Sequence, residues 1–109
     1  MEEFIVSDLT RVSGIINAAL VDEEGFVLFE AKENLEQSEN ISKIADLIRT
    51  KDKFSRITVT SEKAILIVEQ LDVGHRLVTW CEHSCNLGMI RKSLENAAQR
   101  LNEYLINQI

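Results

Sequence analysis

Both cysteines of the chain and one of its two histidines fall within "WCEHSC", residues 80–85, as Cys81, His83 and Cys85 at alternate positions. Thiolate and imidazole suit zinc, and Glu82 or His75 would supply a fourth donor. Structural zinc sites, however, favour wider gaps within each ligand pair and more than two cysteines. A strand would line the three side chains along one face, but one ending near Glu82 lets them diverge. Metal binding is the weaker reading. Cys85 has a second chemistry: if Ser84 or Asn86 caps a following helix, the positive helix end lowers its thiol pKa. Only His83 stands by as an acid or base. The competing reading makes Cys81 a buried strand residue and Cys85 a spectator.

The remaining residues offer less. Glu23–Glu24 reads as a solvated turn rather than an acid/base dyad, and Trp80 and Tyr104 as core or edge aromatics. No phosphate-cradling G-x-x-x-x-G-K-[ST] and no G-x-G-x-x-G occurs, so neither a GTPase nor a dinucleotide binder is expected. No enzyme activity and no cofactor are expected. A net charge of −6 argues against nucleic acid or an anionic membrane surface as the main partner. The start, "MEEFIVSDLT", is acidic and has no apolar core of a signal peptide. The longest apolar runs, "AALV" and "AILIV", fall far short of the ~20 residues of a membrane helix. Two cysteines are too few for a disulfide framework, and a cytoplasmic setting is expected.

Positioning these residues takes few elements. With 109 residues, 45% of them hydrophobic, the chain is expected to form one domain across 1–109. A short helix over 2–11 carries Ile5 and Leu9, with Val12 continuing the stripe. Residues 15–21 and 26–31 read as a β-hairpin across "DEEG", with Gly25 at positive φ. Ile41, Ile44, Ala45 and Ile48 form one stripe of a helix over 41–49, which Leu47 widens. Residues 54–60 alternate strictly, and two more strands follow at 64–71 and 76–82. The first of these is apolar at successive positions, as a strand buried on both faces is. From 86 onward Leu87, Ile90, Leu94, Ala97, Leu101 and Leu105 mark the clearest helix. The order α-β-β-α-β-β-β-α predicts an α/β (α+β) layering: a five-stranded, mainly antiparallel sheet between helices.

On that element order, "VSGIINAALVDEEGFVLFEA" and "LVTWCEHSCNLGMIRKSLENAAQRL" resemble the Roadblock/dynein light-chain family. The matched features are Gly14 before the first strand, Ala19 within it, the "VDEEG" turn, the Leu87–Gly88 pair opening the last helix, and Arg91 one turn later. The resemblance implies a profilin-like, longin-related fold. It implies a homodimer in which strand 54–60 pairs with its twin, through Ser55, Arg56, Ile57, Thr58, Val59 and Thr60. The 41–49 helices would then pack together through Ile41, Ile44, Leu47 and Ile48. It further implies a non-catalytic regulator or scaffold, since some family members bind and modulate Ras-like small GTPases and others join dynein complexes. The family's first helix is usually longer than the one expected here.

The residues themselves support part of this. An edge strand without proline, with only Arg56 to guard it, invites pairing. The competing reading is a monomer kept soluble by Arg56 and the threonines. Arg91, Lys92 and Arg100, on the outer side of the last helix, are candidate partner contacts; Lys51 and Lys53 follow the second. For each of these the alternative is a solvated face. A second functional expectation is a small ligand- or thiol/metal-responsive module built on Cys81, His83 and Cys85.

Overall fold

Strand β1 (Ile15–Val21) is buried at six of its seven positions and forms the hinge of the architecture. On one side it pairs with β2 (Val27–Glu30), and on the other with β5 (Arg76–Cys81). Beyond β5 lie β4 (Ile65–Gln70) and β3 (Arg56–Thr60), giving the order β2-β1-β5-β4-β3. All four pairings are antiparallel, so "mainly" antiparallel becomes wholly so among the described residues. The computed structural model describes residues 2–24, 26–31, 56–60, 62, 64–72 and 74–107. The expected helix over 41–49, with Ile41, Ile44, Ala45, Leu47 and Ile48, lies outside them, as do Gly25, Lys51, Lys53 and Ser55.

Period-two alternation sends the strands' apolar residues to both faces. On one face Leu20, Ile67, Leu77 and Cys81 join Ile5, Val6 and Leu9 of helix α1 (Glu2–Leu9) and the stripe of helix α2 (Leu87–Ile106). On the other, Ala19, Val21, Leu66, Val68, Val78 and Trp80 form a second buried cluster. In α2 the side chains of Ile90, Leu94 and Leu101 are fully buried. At about 2 kcal/mol for each such side chain, this docking outweighs the ~1 kcal/mol of a good cap. Packing therefore holds α2 to the sheet, while the cap sets where it starts.

Helix α1 ends two residues before the expected 11. Thr10, Arg11 and Val12 donate their N–H groups to Ser7, Asp8 and Leu9, three residues back. The Thr10 hydroxyl donates to the same Ser7 carbonyl at 2.7 Å, which fixes this tightened last turn. Gly14 then turns the chain at φ +94°, where a side chain is strained. The hairpin turn is organised by Asp22, whose Oδ1 accepts from the N–H groups of Glu24 and Phe26, both at 2.9 Å.

Candidate functional site

The two edges of the sheet are unequal. β2 is four residues long and kinked: Leu20 faces Phe29 but Val21 faces Val27, which leaves Leu28 as an extra residue. Bulges of this kind bend an edge away from further pairing. β3 runs in unbroken register, from Arg56 opposite Glu69 to Thr60 opposite Ile65. Thr58, Val59 and Thr60 are exposed, Val59 at 47%.

Among the described residues, the expected guard of that edge is not placed along it. Arg56 turns inward: its Nε donates to Glu69 Oε1 at 2.7 Å, and a terminal nitrogen lies 2.6 Å from the same oxygen and 3.3 Å from Glu95 of α2. Its charge is spent within the chain, and the β3 backbone edge lies beside threonines and a valine. Glu69, 8% exposed, was passed over in the sequence. Its signal was present: a lone carboxylate in "AILIVEQL" demands a cationic partner. Asn17, buried in β1, was missed likewise; it donates to Glu30 Oε1 at 3.1 Å, and its own Oδ1 accepts from the Ala18 N–H.

At the β5–α2 seam Cys81 is fully buried at the end of its strand and Cys85 is half-buried. Burial first, then the charge and hydrogen bond of the Cys85 thiol, push the Cys81 thiol up to about 12. At neutral pH it is a protonated core residue, not a nucleophile. Asn86 is the helix cap, its Oδ1 accepting from the Met89 N–H at 3.2 Å. Cys85 thus precedes the helix rather than sitting in its first turn, and its N–H donates to the Glu82 carbonyl. Glu82 and His83 are exposed, and His75 lies at the opposite end of β5. Among the described residues no three histidine, cysteine or acidic side chains gather as a metal site.

Arg91 and Lys92 are exposed on α2. Arg100, expected on the same outer face, leans instead to 4.0 Å from Asp8 of α1. It lines the groove where Ser93 and Ala97 meet Ile5 and Leu9. Just over two turns of helix separate the two behaviours.

No protein-family profile matches the chain, and no curated protein does. Solved structures do. MglB of Myxococcus xanthus superposes with a TM-score of 0.83 at 17% identity, covering 97% of this chain and 95% of that one. A Roadblock/LC7 domain from Streptomyces avermitilis gives 0.81 at 14% identity, covering 95% and 97%. This is the Roadblock/LC7 fold. An MglB described in a tetrameric arrangement gives 0.75 at 21% identity, covering 94% and 85%. LokiProfilin1, solved with rabbit actin, gives 0.67 at 14%, covering 94% and 95%, which places the Roadblock fold here beside profilin. Identities this low speak for the backbone, and the surface must be argued from its own residues.

Within the Roadblock fold, strand β3 takes the sheet edge that the resemblance implied for it. Gly14 has a local reason: a Cβ there would lie 2.7 Å from Cys85 Cβ, besides the positive φ. Gly88 has none among the described residues, where a Cβ would meet Asn86 Oδ1 at 3.4 Å.

Proposed function

We propose that this Roadblock-like chain is a non-catalytic homodimeric regulator or scaffold, one domain across 1–109, that binds a Ras-like small GTPase in the cytoplasm. The observation that carries it is the β3 edge, unguarded among the described residues. A regular five-residue ladder ends on exposed Thr58, Val59 and Thr60, while the one arginine placed to protect it is tied to Glu69 and Glu95. A second copy of β3 would satisfy that edge. Ile57 would join the seam, with Ser55 and the residues Ile41, Ile44, Leu47 and Ile48 beside it. The tetrameric MglB is a precedent for self-association on this fold.

The GTPase half rests on the family resemblance of the two terminal stretches. Arg91 and Lys92 are the proposed contacts, and Arg100, drawn toward Asp8, is the weaker of the three. No described helix is long and apolar enough to cross a membrane. Sedimentation of the purified chain at high micromolar concentration tests the dimer, and a strict monomer there would overturn it. Nucleotide-release rates of Ras-like GTPases, with and without the chain, test the regulatory half.

One observation favours a second reading as a thiol-responsive module: the Cys81 and Cys85 thiols are close enough to share a hydrogen bond. Differential labelling of the two thiols decides between a reactive pair and a packed one.

A further inference from the structure

The two thiols of the chain are brought to one face of the sheet by the turn that follows β5. Cys81, the last residue of that strand, pairs in register with Ile15, and both belong to the buried cluster beneath α1 and α2. The chain then reverses at once. The Glu82 N–H donates to the Gly14 carbonyl at 2.8 Å, and the Cys85 N–H donates to the Glu82 carbonyl at 3.1 Å. This turn sets Cys85 over Gly14, the residue next to the strand partner of Cys81. Glycine leaves the room for it, because a Cβ at Gly14 would lie 2.7 Å from Cys85 Cβ and 3.3 Å from Ile90 Cδ1. Cys85 thereby packs against the cluster that contains Cys81, and the two thiols share a hydrogen bond.

Access separates the two sulfurs. Cys81 is fully buried, Cys85 is half-buried, and Glu82, His83 and Ser84 between them are exposed. A small oxidant from solution meets Cys85 first. An accessible thiol set beside a second, resolving thiol turns oxidation into a reversible disulfide rather than terminal damage.

We propose that Cys85 and Cys81 form a reversible disulfide in response to a hydroperoxide, Cys85 attacking the oxidant and Cys81 resolving the product. The proposal rests on the thiol-responsive reading above and supplies its oxidant and its product. With hydrogen peroxide, the deprotonated Cys85 sulfur attacks one peroxide oxygen; an S–O bond forms and the O–O bond breaks. The departing hydroxide takes up the proton that Cys85 gave and leaves as water. The Cys81 sulfur then attacks the sulfenic sulfur of Cys85; the S–S bond forms, the S–O bond breaks, and the second hydroxide leaves as water with the Cys81 proton. Each cysteine gives one electron, and the peroxide accepts both. The disulfide closes 81–85 into a ring and fastens the residue before the Asn86 cap to the end of β5. Redox state then governs whether the β5–α2 seam can open.

The test treats the reduced full chain with hydrogen peroxide and maps the products by mass, with dimedone present in parallel samples to capture sulfenic acid. The parent should lose two hydrogens as a cross-link within the tryptic peptide 77–91, and dithiothreitol should restore it. Fragment ions distinguish this from oxygen added to exposed Met89 in the same peptide. Cys81→Ala should stop at a Cys85 sulfenic acid that dimedone captures. Cys85→Ala keeps the Cβ that packs on Gly14 and should leave Cys81 reduced under the same treatment. Circular dichroism checks the fold of each variant, and the parent cross-link stands as a readout that needs neither. Amide exchange at Met89 and Ile90 should slow in the oxidised parent; unchanged exchange would overturn control of the seam. Oxygen added to Cys85 without a cross-link, or a disulfide between two chains, would overturn the proposal and leave a responsive thiol. Inert thiols in the parent would remove the thiol-responsive reading itself. Oxidation of Cys81 in folded Cys85→Ala would overturn the order of attack.

Discussion

Arg56 and Glu69 face each other across the β3–β4 ladder, and the guanidinium closes onto one carboxylate oxygen, at 2.7 Å from Nε and 2.6 Å from a terminal nitrogen. Burial alone would lower the Arg56 pKa, but the hydrogen bonds and charges of Glu69 and then Glu95 hold it above its ordinary value. The guanidinium is thus charged at any working pH. Arg56→Ala leaves the largely buried Glu69 carboxylate without its cationic partner, so a loss of about 2 kcal/mol is expected. Glu95→Gln, at a side chain 65% exposed, should cost under about 0.5 kcal/mol. Replacing both members, Arg56→Met with Glu69→Leu, should recover most of the loss. Urea unfolding of the full cycle measures all three, and a loss in Glu95→Gln equal to that in Arg56→Ala would contradict this ranking.

Gly14 and Cys85 meet so closely that an added methyl would lie 2.7 Å from Cys85 Cβ, at a backbone φ of +94°. Gly14→Ala therefore combines a steric clash with a left-handed conformation, and a loss of about 1–3 kcal/mol is expected. Cys85→Ala keeps its Cβ and should not relieve the clash in the double variant. Thermal unfolding midpoints decide it; rescue by Cys85→Ala would place the strain at the sulfur instead.

Where burial forces a period on the residues, the fold was legible. The stripe of α2, the two-sided apolar run of β4 and the "DEEG" turn each admit one reading, and the five strands lie within a residue or two of expectation. Legibility stopped where pairing across the sheet decides. Arg56 and Glu69 are thirteen residues apart in the chain, and only the β3–β4 register makes them opposite neighbours. Arg100 reads as another outward cation until the helix crossing brings Asp8 near it. At the β5–α2 seam, by contrast, the sequence sufficed: a strand expected to end near Glu82 ends at Cys81, and His83 is exposed rather than aligned with the cysteines.

The β3 edge makes a separate prediction. Val59 is 47% exposed on an unbulged edge strand, where a lysine is a common guard against pairing. Val59→Lys should shift the sedimenting species from dimer to monomer while leaving the circular dichroism spectrum in place. The same substitution in β2, Leu28→Lys, should not change the assembly, because that edge is already kinked. A dimer that survives Val59→Lys and dissolves with Leu28→Lys would move the interface to the other edge.

The opening of α2 contains two substitutions of opposite sign. Asn86→Ala removes the acceptor for the Met89 N–H and should destabilise by about 1 kcal/mol. Asn86→Asp keeps an acceptor there and should cost less. Gly88 has an ordinary helical backbone, and among the described residues an added Cβ makes only an ordinary contact with Asn86 Oδ1, so Gly88→Ala should stabilise by about 0.5–1 kcal/mol. If Gly88→Ala instead weakens partner binding while raising the unfolding midpoint, the glycine serves a close approach from outside the chain.

The Cys81 thiol supplies the pH dependence. Burial, and after it Cys85, raises its pKa from 9.0 to about 12. The neutral form is the one the fold stabilises, so the stabilisation is fully present below pH 9. Between pH 9 and 12 the unfolded chain ionises this thiol while the folded chain does not. Unfolding then releases a proton, and stability falls as pH rises, by up to about 1.4 kcal/mol per unit. Because pH also acts through other side chains, the comparison is between the parent and Cys81→Ala. Their unfolding free energies should be separated by a constant cavity cost below pH 9 and converge above it. Parallel curves through that range would mean the thiol is not held neutral by the core. Iodoacetamide offers a second readout on the folded chain: alkylation of half-buried Cys85 should outpace that of Cys81, which becomes reactive only when the β5–α2 seam opens.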